Sequence, residues 1–376
     1  MRIKKHKEPI SNSNLLFLIA IAIFFVMYAI GFFGYPGSFR NLQTFVDFFN
    51  NNAPLIILTC GMSIVMIGGG IDISVGGVTG LVTMCCAVFL NGSSGSVFGS
   101  MLLALGIGLA FGVLHGFLIS YLNIQPFIIT LAGMFLANGL LTVIHKNPLN
   151  VVLPAFVNLR ETSIRIPWLG TVNRLGNFIP LRISIGTIVV LVVVIVLAVI
   201  MKWSRFGRNL YAIGGNSQSA LMLGINVKRT RFFSYVLCGL LSGIAGYTFL
   251  MQTGAGNVGN ASGFEMRAIA SSIIGGTMLT GGVGNLLGSP FGTLSLLIIN
   301  EIIRAAGINS NYQAIISGLL LFVFIVMQST IIWIRLNRRM KSALVAEPEG
   351  LPGQMVGESS QEPANQAEAA DELLKE

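Results

Sequence analysis

Charge is what this sequence has least of. Only 10% of its 376 residues are Asp, Glu, Lys or Arg, where soluble domains carry roughly 25%. The chain is 53% apolar, with a mean hydropathy of +0.79. Several apolar runs reach about 18 residues or more, a length that spans a bilayer and that a soluble core does not need. The runs are continuous rather than alternating, which argues against a transmembrane β-barrel. The expected fold class is an all-α polytopic membrane protein.

Other scarcities narrow the chemistry. The four cysteines, Cys60, Cys85, Cys86 and Cys238, all lie in apolar segments and none is in CxxC spacing. They read as small buried hydrophobes rather than metal or redox sites. His115 and His145 have no ligand cluster beside them in the sequence. No GxxxxGK[ST] occurs, so no loop is built to cradle a nucleotide phosphate. No aromatic-rich basic motif points to nucleic acid. These readings leave a chain that is not an enzyme and binds no metal or cofactor directly.

What charge there is falls unevenly. The region 346–376 is rich in Glu, Gln, Ala and Pro and holds most of the acids; it cannot bury a core and reads as a disordered acidic cytoplasmic tail. Residues 1–13 form a basic start. With the run 15–33, apolar segments at about 54–70, 73–91, 97–121, 127–144, 183–202, 231–252, 264–281, 286–305 and 312–334 make about ten expected spans within a domain at 14–335. Basic residues follow the positive-inside rule: Lys202, Arg205, Arg208, Lys228, Arg229 and Arg231 mark 203–230 as cytoplasmic, and Arg335, Arg338, Arg339 and Lys341 mark the last span's exit. Both termini are then cytoplasmic. The loop 145–182 falls outside, although it carries Lys146, Arg160, Arg165, Arg174 and Arg182; its length weakens the rule, and its charge suits an acidic partner.

Against this background one stretch stands out. Residues 68–77 read GGGIDISVGG, and Asp72 is the only acid between Asp47 and Glu161. Gly69, Gly70 and Gly76 permit positive φ or close backbone approach. Asp72 can accept hydrogen bonds from free backbone N–H groups, and Ser74 can cap the helix that follows. The first reading is a structural lock on a helix break; direct contact with a substrate or ion, or a role in a gate, are the others. Ile67-Gly68-Gly69-Gly70 is echoed by Ile274-Gly275-Gly276-Thr277. Paired interruptions of this kind point to two repeats with broken helices, whose free backbone must be buried in protein or line a cavity.

A second stretch, 205–228, is basic and amphiphilic. Gly214-Gly215-Asn216 breaks the chain, Ser217 can cap a short helix over 218–223 that carries Ala220, and Gly224 sits at the C′ position before Ile225. A compact helix held off the membrane is a suitable lever for a soluble partner.

GGGIDISVGG, IQPFIITLAGMF (124–135), RFGRNLYAIGGN (205–216), YAIGGNSQSALMLGINV and AIASSIIGGTMLTGGVGNLLGSPFG (268–292) together resemble the permease subunits of ribose/galactose-type sugar ABC importers, most closely one permease of a galactofuranose importer. The resemblance covers roughly 15–335. It implies a type II-like permease in a bacterial inner membrane. Such a chain pairs with a second permease, identical or different, and with an ATPase subunit that hydrolyses ATP from the cytoplasm. An extracytoplasmic binding protein delivers the sugar. The resemblance also implies that 214–225 contacts the ATPase. Ile73 stands where the family commonly has Leu, and Pro290 is a further departure.

Gln125, Phe127, Thr130 and Asn138 are candidates for a sugar path, because hydroxyl hydrogen bonds and aromatic stacking hold sugars; polar contact between helices explains the same residues. Glu301 and Arg304 are spaced as an i,i+3 ion pair. Another ABC cargo, such as ribose or a nucleoside, and an ion-coupled secondary transporter are the alternatives. The latter requires an intramembrane ion site for which Asp72 stands almost alone.

Overall fold

A computed structural model describes residues 12–172 and 178–308, with scattered positions between 312 and 330. The chain runs α1 (Asn12–Gly34), α2 (Pro36–Phe39), α3 (Leu42–Asn50), α4 (Ala53–Ile67), α5 (Val75–Asn91), α6 (Val97–Ser120), α7 (Pro126–Ile144), β1 (Leu149–Asn150), α8 (Pro154–Glu161), β2 (Ser163–Val172), β3 (Phe178–Ser184), α9 (Ile185–Trp203), α10 (Arg205–Gly215), α11 (Ser217–Met222), α12 (Val227–Thr253), β4 (Ala255–Gly256), α13 (Phe264–Ile274) and α14 (Gly288–Ala305).

Helix α4 lies wholly inside the bundle. Every residue from Ala53 to Ile67 is buried, as expected for a helix apolar on all sides and enclosed by other helices. Hydroxyls link α4 to α13 and α14 within an otherwise apolar core. Ser63 Oγ lies 2.7 Å from both Ser272 Oγ and Ser289 Oγ, and Thr293 Oγ1 donates to Thr59 Oγ1 at 3.0 Å. Helices α6 and α12 approach through glycine. A Cβ on Gly108 would come within 2.9 Å of Gly243 Cα, and one on Gly112 within 2.8 Å of the Tyr235 carbonyl. Small residues at four-residue spacing let helices pack backbone to backbone where lipid offers no hydrophobic drive.

Five helices are long and apolar enough to cross a membrane, and six if α3 and α4, bent by 56°, count as one. The ten expected spans are not found among the described residues. The reason lies in the breaks. At 1.5 Å per residue, the 15-residue α4 and 11-residue α13 reach only about 22 and 16 Å, short of the roughly 30 Å hydrocarbon core. Helix α14 is long enough, but Asn300, Glu301 and Arg304 interrupt its apolar face. Glu301 and Arg304 do form the expected ion pair. The span expected at 312–334 lies for the most part, and the tail at 346–376 wholly, outside the described residues.

The chain is mostly helical but not wholly so. The loop 145–182 folds into β1, which pairs antiparallel with β4, then α8, then the antiparallel hairpin β2–β3. Hydrogen bonds gather these pieces at one end of the bundle. The Arg182 N–H donates to Gln43 Oε1 at 2.9 Å, Asn91 Nδ2 to the Asn150 carbonyl at 2.8 Å, and Gln252 Nε2 to the Asn51 carbonyl at 2.6 Å. The opposite end holds the break after α4 and the segment α10–α11.

Candidate functional site

The break after α4 is a Schellman turn. Gly69 has φ +79°, its N–H donates to Met66 O at 2.9 Å, and the Gly70 N–H donates to Val65 O at 3.0 Å. Only glycine adopts that left-handed position without strain. The break after α13 repeats it residue for residue: Gly276 has φ +90°, its N–H donates to Ile273 O at 2.9 Å, and the Thr277 N–H donates to Ser272 O at 2.9 Å. The echo between IGGG and IGGT is therefore one backbone motif used twice.

Asp72 lies just beyond the first turn and is 1% exposed. Its Oδ1 accepts from the Ser74 N–H at 3.0 Å and from the Ser74 hydroxyl at 2.5 Å. Ser74 occupies the N-cap position of α5 but makes no side-chain cap, because its hydroxyl is turned back to the carboxylate; the expected serine cap is corrected to an aspartate-held turn. A partner not anticipated from sequence is His115, whose Nδ1 lies 3.3 Å from Ser74 Oγ and whose buried Nε2 has no hydrogen-bond partner. The serine sits between acid and imidazole, so this is not the arrangement that activates a nucleophile. The Tyr235 hydroxyl closes the corner with a 3.4 Å bond to the Ile71 carbonyl. Beyond it, Gly76 leaves room for the Glu265 carboxylate, and a Cβ there would collide with it. Among the described residues no group of three or more His, Cys, Asp or Glu is placed to hold a metal.

At the same end, α10 and α11 form a compact elbow. The cap of α11 is Asn216, whose Oδ1 accepts from the Ser219 N–H at 2.9 Å; Ser217, expected to cap, is instead the first helical residue. Gly224 takes the expected C′ position, with φ +79° and the Ile225 N–H donating to Ala220 O at 3.1 Å. Ala220 is buried. The residues after it are not: Leu221, Met222 and Leu223 are 64%, 89% and 79% exposed, an apolar tip on an otherwise polar segment.

The elbow meets both breaks through glycine. The Gly282 N–H donates to Ile67 O at 2.9 Å, joining the second break to the end of α4. A Cβ on Gly214 would fall against that same carbonyl and 2.5 Å from Gly282 N; one on Gly281 would lie 2.8 Å from Gly69 Cα; one on Gly282 would lie 2.6 Å from Gly215 Cα. Gly69, Gly214–Gly215 and Gly281–Gly282 thus touch backbone to backbone. The Tyr211 hydroxyl adds a 3.0 Å bond to the Gly284 carbonyl, and burial raises its pKa. The contact of 281–284 with 214–215 was not legible in the sequence, because nothing in either stretch names its partner.

The candidate sugar-path residues all lie on α7 or at its N-cap. Thr130 is buried with its hydroxyl bonded to Pro126 O of its own helix at 2.8 Å. Gln125, Phe127 and Asn138 are exposed, and the Asn138 side chain faces the space beside Gly77.

Comparison with known proteins agrees with this architecture. Residues 44–325 match the family described as branched-chain amino acid transport system / permease component. The chain is 35% identical over 323 residues to the inner membrane ABC transporter permease YjfF of Escherichia coli, covering 85% of this chain and 94% of that one. It is 34% identical to the fructose import permease FruG of Bifidobacterium longum, covering 84% and 90%. It is 32% identical to the autoinducer 2 import permease LsrC of Yersinia enterocolitica, covering 76% and 74%. No solved structure matches.

Proposed function

The chain belongs to the branched-chain amino acid transport system / permease component family, and we propose that it is the permease of an ATP-driven importer carrying a monosaccharide, galactofuranose, into the cell. Its partners in this reading are a second permease, a cytoplasmic ATPase and an extracytoplasmic sugar-binding protein. Both termini and the α10–α11 elbow face the cytoplasm of a bacterial inner membrane. The relatives' printed substrates, fructose and autoinducer 2, support small polar cargo. Ribose or a nucleoside is the alternative cargo.

One observation carries the reading: an exposed apolar tip, Leu221–Leu223, on an elbow whose other side touches both helix breaks through bare backbone. A tip of three exposed apolar side chains beside Gln218 and Lys228 has the form of a docking knob. Movement of the knob pushes Gly214 against the Ile67 carbonyl and Gly282. The two broken helices, linked by the 2.9 Å bond, then move together, as alternating access requires. Asp72 serves as the lock that keeps the first break in one geometry. An ion-coupled mechanism is less well supported, because the Asp72 carboxylate is already engaged by Ser74.

The test is assembly. Leu221→Asp, Met222→Asp and Leu223→Asp together should leave the permease folded in the membrane but unable to co-purify its ATPase. Unchanged co-purification would remove the knob from the account.

A further inference from the structure

Outside the elbow's glycine contacts, a groove of about 650 Å³ opens between α10 and α12. Its α12 wall changes from polar to apolar along the helix. Along α12 the lining passes from Arg229 and Thr230 to Phe233, Leu237 and Leu240, and α10 adds Arg205, Phe206 and Asn209. No acid lines it. From Arg229 to Leu240 the α12 stripe rises by about 16 Å, close to the roughly 15 Å hydrocarbon depth of one leaflet. The Arg229 guanidinium lies 5.8 Å from the Phe233 ring centroid, over the junction between the two halves. Two residues before Arg205, the exposed Trp203 carries Lys202 at 5.2 Å, an aromatic and basic pair of the kind that sits at the headgroup level.

We propose that this groove is a binding site for an anionic phospholipid, with the phosphate between Arg205 and Arg229 and an acyl chain along Phe233, Leu237 and Leu240. The charge is complementary, since two guanidinium groups without a lining carboxylate favour a phosphate. The depth is complementary as well. A second copy of this chain fits poorly, because a two-fold contact through this face brings Arg229 toward its own symmetry mate. The lipid would brace α10 against α12 at the base of the elbow. The inference rests only on the chain spanning a membrane, so it stands or falls independently of the cargo.

Native mass spectrometry of the permease complex tests it, after exchange into phosphatidylcholine nanodiscs containing graded phosphatidylglycerol. Wild type should retain phosphatidylglycerol through delipidation and release phosphatidylcholine. The pair Arg205→Gln and Arg229→Gln should weaken that retention by roughly 30-fold, since each basic contact with an anionic lipid is worth about fivefold. Leu237→Trp, which fills the tail half and spares both arginines, should weaken it too, so the result does not depend on the arginine variant folding. Glycerol 3-phosphate, which has the anion and no tail, should not compete at equal concentration. Equal retention of the two lipids by wild type, or full retention by Leu237→Trp, would overturn the proposal. So would competition by glycerol 3-phosphate, which would make it an anion site. Cross-linking of two permeases through Leu237→Cys would make the groove a protein contact instead.

Discussion

Replacing Gly214 by alanine adds one methyl group where three segments meet. The methyl would stand against the Ile67 carbonyl and 2.5 Å from Gly282 N, on the hydrogen bond that joins the two breaks. A carbon needs about 3.3 Å from such an atom, so the Gly282 amide must retreat by about 0.8 Å. A 2.9 Å bond does not survive that displacement. The loss leaves a donor or acceptor unpaired, at about 1–3 kcal/mol, and the crowding costs a further 1–3 kcal/mol. Gly215, one residue on, has nothing within 4 Å of its Cβ position, and Gly215→Ala should change stability by no more than about 0.5 kcal/mol. The assay measures ATP hydrolysis and uptake together in the reconstituted complex. Gly214→Ala should retain hydrolysis while uptake per ATP falls by about 5- to 150-fold, the usual range of coupling between sites; Gly215→Ala should match wild type. Equal behaviour of the two variants, whether both active or both impaired, would refute the idea that this contact transmits movement.

Three further outcomes follow from the geometry. Asp72→Asn keeps an oxygen that can accept both Ser74 bonds and should assemble with a small loss of thermal stability, whereas Asp72→Ala leaves the buried Ser74 N–H and hydroxyl without their acceptor, about 1–3 kcal/mol each, and should lower yield sharply; if Asp72→Asn assembled fully but abolished substrate selectivity, the carboxylate would be a site rather than a lock. Gly112→Leu drives a side chain into the Tyr235 carbonyl and should collapse α6–α12 packing in a thermal melt in detergent, while Gly106→Leu, with open space around it, should melt as wild type does. Thr130→Val removes only a bond within its own helix and should leave uptake within about twofold, a cost below roughly 0.5 kcal/mol; a larger loss would return Thr130 to the sugar path.

Local signals were legible in the sequence and distant ones were not. Gly224 as a helix stop and the paired IGGG and IGGT breaks are written in neighbouring residues, and the backbone follows them. Asn216 displaced Ser217 as the α11 cap because either residue type caps well and sequence alone does not choose between adjacent candidates. His115 is 41 positions from Ser74 and on another helix, so its polar corner with Asp72 required the fold. The hairpin β2–β3 hid in a loop whose alternation is broken by Pro167 and by the irregularity between Ile166 and Gly170. The span count depended on how far helix persists past a glycine, and at α4 and α13 the chain turns early. The short helix over 218–223 was legible in the sequence, but that Leu221, Met222 and Leu223 stand exposed at its end required the fold.

The central claim is that ATP, used by a partner, moves sugar through this chain. Its most direct test is uptake of radiolabelled galactofuranose into proteoliposomes holding this permease, its partner permease, the ATPase and the binding protein. Uptake should require ATP on the ATPase side and should disappear without the binding protein. Uptake driven by an ion gradient with no ATP present would contradict the account and make Asp72 and His115 the first residues to examine as an ion site.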